Sequence, residues 1–266
     1  MENYSVPSEF DTKKAEIKYG DLKEVSYYSK TTGNTRKCNV LLPPDYSKNK
    51  KYPVLYLLHG IGGDHKEWLG GNPAEIIGNL QAEGHCAEMI VVMPNVRASY
   101  DDACPKDILS FENINAFDNF INDLNNDLMP FITSNYSTKE GRENTAIAGL
   151  SMGGRESLFI GFTEPEKFAY IGAFSPAPGL LPEKTLNYPG QFTPDKFTLN
   201  RNSENFPKLI LICNGNTDSV VHNNPNIYHE TLLKNDVQHL WYTIDGDHNF
   251  IVWKHGLYNF VKRIFK

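Results

Sequence analysis

The pentapeptide Gly149-Leu150-Ser151-Met152-Gly153 stands between a strand-like run at 144–148 and a helix-like run at 154–160. A serine on so sharp a strand-to-helix turn takes strained backbone angles and needs neighbours without Cβ atoms, which Gly149 and Gly153 supply. In that setting the spacing reads as a nucleophile elbow, and it demands a sheet whose strands run into helices. A serine hydroxyl is a poor nucleophile until a base takes its proton, so the motif predicts a histidine and a carboxylate elsewhere in the chain. The bland alternative is a glycine-rich turn that happens to contain serine; the two flanking elements count against it.

The rest of the chain has the matching organisation. Two β-prone runs, 22–28 and 37–42, are joined by Thr31-Thr32-Gly33-Asn34 and predict an antiparallel hairpin at one edge. Apolar runs at 53–58, 88–93, 144–150, 170–174, 208–213 and 239–244 then alternate with helical patterns. Short, continuously apolar strands separated by helices predict an α/β fold, a mostly parallel eight-stranded sheet covered on both faces. The clearest helix covers 113–134, with Phe117, Phe120, Ile121, Leu124, Leu128, Phe131 and Ile132 along one face and a kink expected at Pro130. Further helices are expected at 74–82, 152–163, 225–234 and 250–265. Two segments, 96–112 and 176–207, lack periodicity and read either as binding walls and lids or as solvated insertions.

At 266 residues the chain suits one domain, 1–266, with 1–20 as a polar N-terminal extension. Hydrophobic content of 40% and charged content of 22% are ordinary for a globular chain, and no apolar run nears the roughly 18 residues of a membrane span. A formal net charge of -6 without a basic stripe argues against nucleic acid, whose binding draws on lysine and arginine. The start, Met1-Glu2-Asn3-Tyr4, lacks the regions of a signal peptide. Cys38, Cys86, Cys104 and Cys213 are too scattered for a disulfide framework, and no spacing suggests a metal site. A bridge between Cys86 and Cys104 is disfavoured, because the strand between them should carry them to opposite ends of the sheet. Asn3-Tyr4-Ser5 and Asn135-Tyr136-Ser137 match glycosylation acceptors, a pattern frequent by chance.

The order of catalytic residues in α/β-hydrolases, serine then acid then histidine on loops after strands, narrows the search. Asp218 follows the strand at 208–213, and His248 follows the strand at 239–244. Asp245 and Asp247 are rivals for the acid, but an aspartate beside the base in sequence rarely curls back to orient its ring. Of the other histidines, His59 ends a strand on the correct side but precedes the serine and reads as part of the His59-Gly60 turn. His65, His85, His222, His229, His239 and His255 fall on surface loops, helices or the wrong strand edge. The run Leu57-Leu58-His59-Gly60-Ile61-Gly62-Gly63 frees backbone N–H groups for an oxyanion, with Ile61 and Met152 as the expected donors. It matches neither phosphate-binding glycine pattern. Trp241 and Trp253 are expected in the core, Trp68 is a candidate for the rim, and none is placed in the site.

Taken together, 55–63, 146–154 and Gly246-Asp247-His248 resemble carbohydrate esterase family 1, in the esterase D-like group. The likeness is greatest to feruloyl esterase modules of plant-cell-wall-degrading enzymes and runs from about Lys23 to the end. Segments 27–29, 40–47 and 250–254 extend it. The resemblance implies an α/β-hydrolase fold, no cofactor, secretion, and serine, acid and histidine at Ser151, Asp218 and His248. It also implies that feruloylated arabinoxylan or small feruloyl esters are the substrates, in a chain that can belong to a multidomain enzyme. Acetylxylan esterase and S-formylglutathione hydrolase share the same elbow and remain alternatives. From a different class, an inactive carbohydrate-binding module would have no physical need for a strained serine.

Overall fold

The computed structural model describes residues 3–182 and 189–266; residues 183–188, within the aperiodic 176–207 segment, and residues 1–2 lie outside the described residues. Eight strands form one sheet: β1 Leu22–Ser29, β2 Asn34–Leu41, β3 Val54–Leu58, β4 Ile90–Pro94, β5 Thr145–Leu150, β6 Tyr170–Phe174, β7 Leu209–Gly215 and β8 Leu240–Ile244. Their order is β1-β2-β4-β3-β5-β6-β7-β8. The β1–β2 hairpin is antiparallel, β2 also meets β4 antiparallel, and the remaining pairs are parallel. This is the mostly parallel sheet expected from the alternation of apolar runs and helical patterns.

Alternation within the buried strands builds two cores. Tyr56, Leu58, Val92, Ile147 and Ile171 face one side, against Phe117, Phe120, Leu158 and Tyr228. Leu55, Leu57, Val91, Ala148 and Phe174 face the other, against Ile76, Leu80, Trp253 and Leu257. Helices therefore cover both faces: α1 Pro73–Ala82 and α7 Phe250–Val261 on one, α2 Phe111–Asp118, α5 Met152–Thr163 and α6 Asn224–Lys234 on the other.

The long helix expected at 113–134 is divided. After α2 comes α3 Phe120–Asp123, a widened π-helical turn at Leu124–Leu128, and α4 Met129–Asn135. The apolar stripe survives, with Phe117, Phe120, Leu124, Leu128 and Ile132 buried. Pro130 has no N–H to give the carbonyl four residues earlier, and the widened turn directly precedes the segment that carries it.

Residues 3–20, polar in composition, pack along α1 and α7. Tyr4 stacks on Tyr242 at 4.1 Å, Phe10 meets Tyr258 edge-on, and Asn79 Nδ2 donates to the carbonyls of Phe10 and Thr12. The aperiodic 176–207 segment also contributes to the core, where Phe192 stacks on Phe197 and Phe197 meets Tyr228. All four cysteines are free thiols. Among the described residues no helix is long and apolar enough to cross a membrane.

Candidate active site

Ser151 is the single residue between β5 and α5, at φ 52° and ψ -119°, angles that a side chain rarely tolerates. Its N–H donates to the Phe174 carbonyl at 2.9 Å, and its own carbonyl accepts from Ala177 and Arg155 at 3.0 Å each. The flanking glycines are required by contact distances. A Cβ on Gly149 would lie 2.4 Å from the Gly153 carbonyl carbon, and one on Gly153 would lie 2.4 Å from the Leu58 oxygen. Both obstacles are backbone, so neither can swing away.

The ends of β7 and β8 bring the other two side chains to the elbow. His248 Nε2 lies 2.9 Å from Ser151 Oγ, and His248 Nδ1 lies 2.9 Å from Asp218 Oδ2. The second carboxylate oxygen accepts the N–H groups of Val220 and Val221, which fixes the acid against rotation. Burial pushes the Asp218 carboxyl up, but hydrogen bonds from His248 and Val221 outweigh it, and the net shift is downward. An ionised Asp218 that accepts from Nδ1–H leaves Nε2 free to accept the serine proton. Trp253 meets the imidazole edge-on at 5.1 Å.

The two rival aspartates hold the loops together. Asp245 accepts from Asn216 Nδ2, and Asp247 accepts the N–H groups of Ser219 and of His248 itself. Neither carboxylate is on the ring. Five other histidines have partners away from the serine: His65 on Glu24, His85 on Glu83, His229 and His239 on each other, and His255 on Tyr242.

Across the elbow lies the turn that follows β3. Gly60 approaches closely enough that a Cβ there would sit 3.3 Å from Ser151 Cβ. His59 is buried; its Nδ1–H donates to the Gly60 carbonyl at 2.7 Å, and its Nε2 accepts the Val96 N–H at 2.8 Å. Burial pushes this imidazole down to about 4, so it stays neutral and keeps both partners. Met152 opens α5, where helix geometry gives an N–H no intrahelical acceptor. The Ile61 turn is stabilised through its carbonyl, which accepts from Arg97 Nη2 at 2.7 Å.

Sequence reasoning missed Arg97. Its buried guanidinium also donates to the carbonyls of Gly63 and Asp102 and to Asn113 Oδ1, tying the turn to the aperiodic 96–112 segment. A basic residue inside an otherwise unpatterned loop was the only available signal. Trp68, a candidate for the rim, is core: it is 1% exposed and its Nε1–H donates to the Leu58 carbonyl. No group of three or more potential metal ligands occurs among the described residues.

Comparison with known proteins finds relatives over most of the chain. The esterase family model, described as "Putative esterase", matches residues 29–264. The structure of a CE1 ferulic acid esterase from the anaerobic fungus Anaeromyces mucronatus is 39% identical, with a TM-score of 0.91 over 99% of this chain and 97% of that one. The same enzyme has been solved in complex with ferulic acid. An endo-1,4-beta-xylanase/feruloyl esterase of Xylanibacter ruminicola is 35% identical over 63% of this chain, which spans only 23% of that protein. An acetyl esterase of Caldicellulosiruptor saccharolyticus is 26% identical over 90% of this chain and 96% of its own length.

Proposed function

Because the chain belongs to the esterase family, and within it to the family 1 carbohydrate esterases, we propose that it hydrolyses feruloyl esters of arabinoxylan and releases ferulic acid. The observation that carries the chemistry is one imidazole, 2.9 Å from a strained serine on one side and 2.9 Å from an ionised aspartate on the other. The acyl group is argued from the likeness to a ferulic acid esterase over nearly the whole of both chains.

In this reading Ser151 Oγ attacks the ester carbonyl while His248 Nε2 takes the hydroxyl proton and Asp218 holds the Nδ1–H tautomer. The negative charge that develops on the carbonyl oxygen is met by the amides of Ile61 and Met152. Collapse expels the sugar hydroxyl, which receives its proton from His248, and leaves a feruloyl-serine. Water then gives a proton to His248 and attacks the acyl-enzyme, and ferulate leaves as Ser151 regains its proton. No step calls for a cofactor. The enzyme acts outside the cell in xylan breakdown, and the greater length of its xylanase relatives supports a place among other catalytic modules.

A second reading is favoured by one observation: the acetyl esterase relative matches end to end, and an acetyl group needs only a small acyl pocket. Methyl ferulate and acetylated xylan separate the two. We expect ferulate release from the first to dominate, with Ser151→Ala lowering it by about 10⁴-fold or more while the fold persists. Acetate release without ferulate release would replace the feruloyl reading by the acetyl one.

A further inference from the structure

Glycine has the freest backbone of any residue, so a turn that must aim an amide at a reacting atom needs Gly60 restrained on both sides. On the carbonyl side, the Gly60 oxygen accepts from His59 Nδ1–H and from the Gly63 N–H at 3.1 Å. A trans peptide points its N–H opposite its C=O, so fixing this carbonyl fixes the direction of the Ile61 amide. The amide side is fixed by a carboxylate: Glu67 Oε2 accepts the Gly60 N–H at 2.6 Å. Glu67 opens a short 3-10 helix, Glu67–Gly71, and its neighbour Trp68 is anchored on the Leu58 carbonyl, so the carboxylate is presented from a held base. The fit is close: a Cβ on Gly63 would lie 2.4 Å from Glu67 Oε2.

We propose that Glu67 is a positioning residue of the ester hydrolysis, holding Gly60 so that the Ile61 amide is aimed at the oxyanion before substrate arrives. The proposal rests on the esterase reading above. A carboxylate or an amide oxygen at this reach can accept the Gly60 N–H, so the hold depends on where the acceptor is placed rather than on its charge. Burial raises this carboxyl, as does Asp64, while the Gly60 N–H and the electrostatic influence of His248 lower it; the balance is upward. The cell of the fold that holds Glu67 is open on one side to a cavity of about 640 Å³, lined also by Gly62, Gly63 and Asn95. Water from that side can satisfy the Gly60 N–H once the carboxylate is gone, so truncation should release the turn without collapsing it.

The test compares Glu67→Ala, Glu67→Gln and Glu67→Asp, using p-nitrophenyl acetate turnover, affinity for a phenylboronic acid, affinity for ferulate, and fluorophosphonate titration of active sites. A boronic acid forms a tetrahedral adduct on Ser151 and so reads the oxyanion site, which ferulate as a ground-state product reads far less. Losing an oxyanion donor outright costs about 10²–10³ in kcat, so misaiming one should lower kcat per titrated site by about 10-fold in Glu67→Ala, with KM within about threefold. Boronate affinity should fall in parallel and ferulate affinity should hold. Glu67→Gln, which keeps an acceptor of the same reach, should recover most of the loss; Glu67→Asp, which retracts it, should not. If Glu67→Ala fails to fold, the Gln and Asp variants decide. Equal activity of all forms, parallel loss of ferulate affinity, or Asp exceeding Gln would overturn the proposal. Wild-type turnover of p-nitrophenyl acetate without methyl ferulate would refute the feruloyl reading instead and leave this comparison in force.

Discussion

The two backbone segments at Ser151, the elbow that carries it and the turn beside it, are made rigid in opposite ways. The elbow at 149–153 is held from within, by two glycines whose missing Cβ atoms leave room for backbone 2.4 Å away. The turn at 60–63 is held from outside, by His59, Glu67 and Arg97 gripping its carbonyls and one amide. A segment held by its own sterics yields only to changes within it, whereas a segment held by side chains can be loosened one bond at a time from elsewhere.

Gly153→Ala should break the elbow most severely. The new methyl would press on the Leu58 and His59 carbonyl oxygens, both backbone, and the elbow must move. Displacing a reacting group by about 1 Å costs roughly 100-fold, so kcat should fall at least that far, with stability lowered by about 1–3 kcal/mol. Steady-state kinetics and urea unfolding measure both; near-normal turnover would show that the elbow is not held by these contacts.

A smaller loss of activity is expected when the turn is released at one grip. Arg97→Met leaves the carbonyls of Ile61 and Gly63 without their charged donor. Stability should fall by about 2–4 kcal/mol and kcat by about 10-fold, with KM little changed. If kcat stayed at the wild-type value in the folded variant, the turn would be rigid without Arg97 and the contrast with the elbow would lose its basis.

Acid should affect the turn and spare the elbow, which has no titratable group. Burial holds His59 down at about 4 in the folded protein, below its usual 6.5, so between these values the unfolded chain binds the proton first. Stability is therefore full above about pH 7 and is lost as pH falls toward 4, by about 2 kcal/mol between pH 7 and pH 5 from this group. His255, also pushed down to about 4 by burial, acts in the same direction. Urea unfolding at the two pH values should show a smaller difference in His59→Gln; an unchanged difference would remove His59 as its source.

The same contrast decides what could be read from the sequence. The elbow is written in five consecutive residues, and chain order with strand ends singled out Asp218 and His248, the two side chains that the structure brings to Ser151, ahead of Asp245, Asp247 and His59. The succession of continuously apolar runs and helical patterns likewise predicted a mostly parallel sheet covered on both faces. The grips on the turn were not legible, because Glu67 and Arg97 bond to backbone atoms, and a backbone atom leaves no mark in residue type. Trp68, kept out of the site although its position next to the turn made the rim one reading, lies in the core with its N–H spent on the Leu58 carbonyl. Phe192 and Phe197 had no period to announce them, since an irregular chain can bury aromatic rings at any spacing.

Fluorophosphonate labelling with peptide mapping, in the presence and absence of ferulate, tests most directly whether Ser151 is the activated nucleophile of a feruloyl esterase. The account predicts one modified residue, Ser151, and labelling that slows as ferulate occupies the site. Modification at another residue, no modification of the folded protein, or labelling indifferent to saturating ferulate would contradict it.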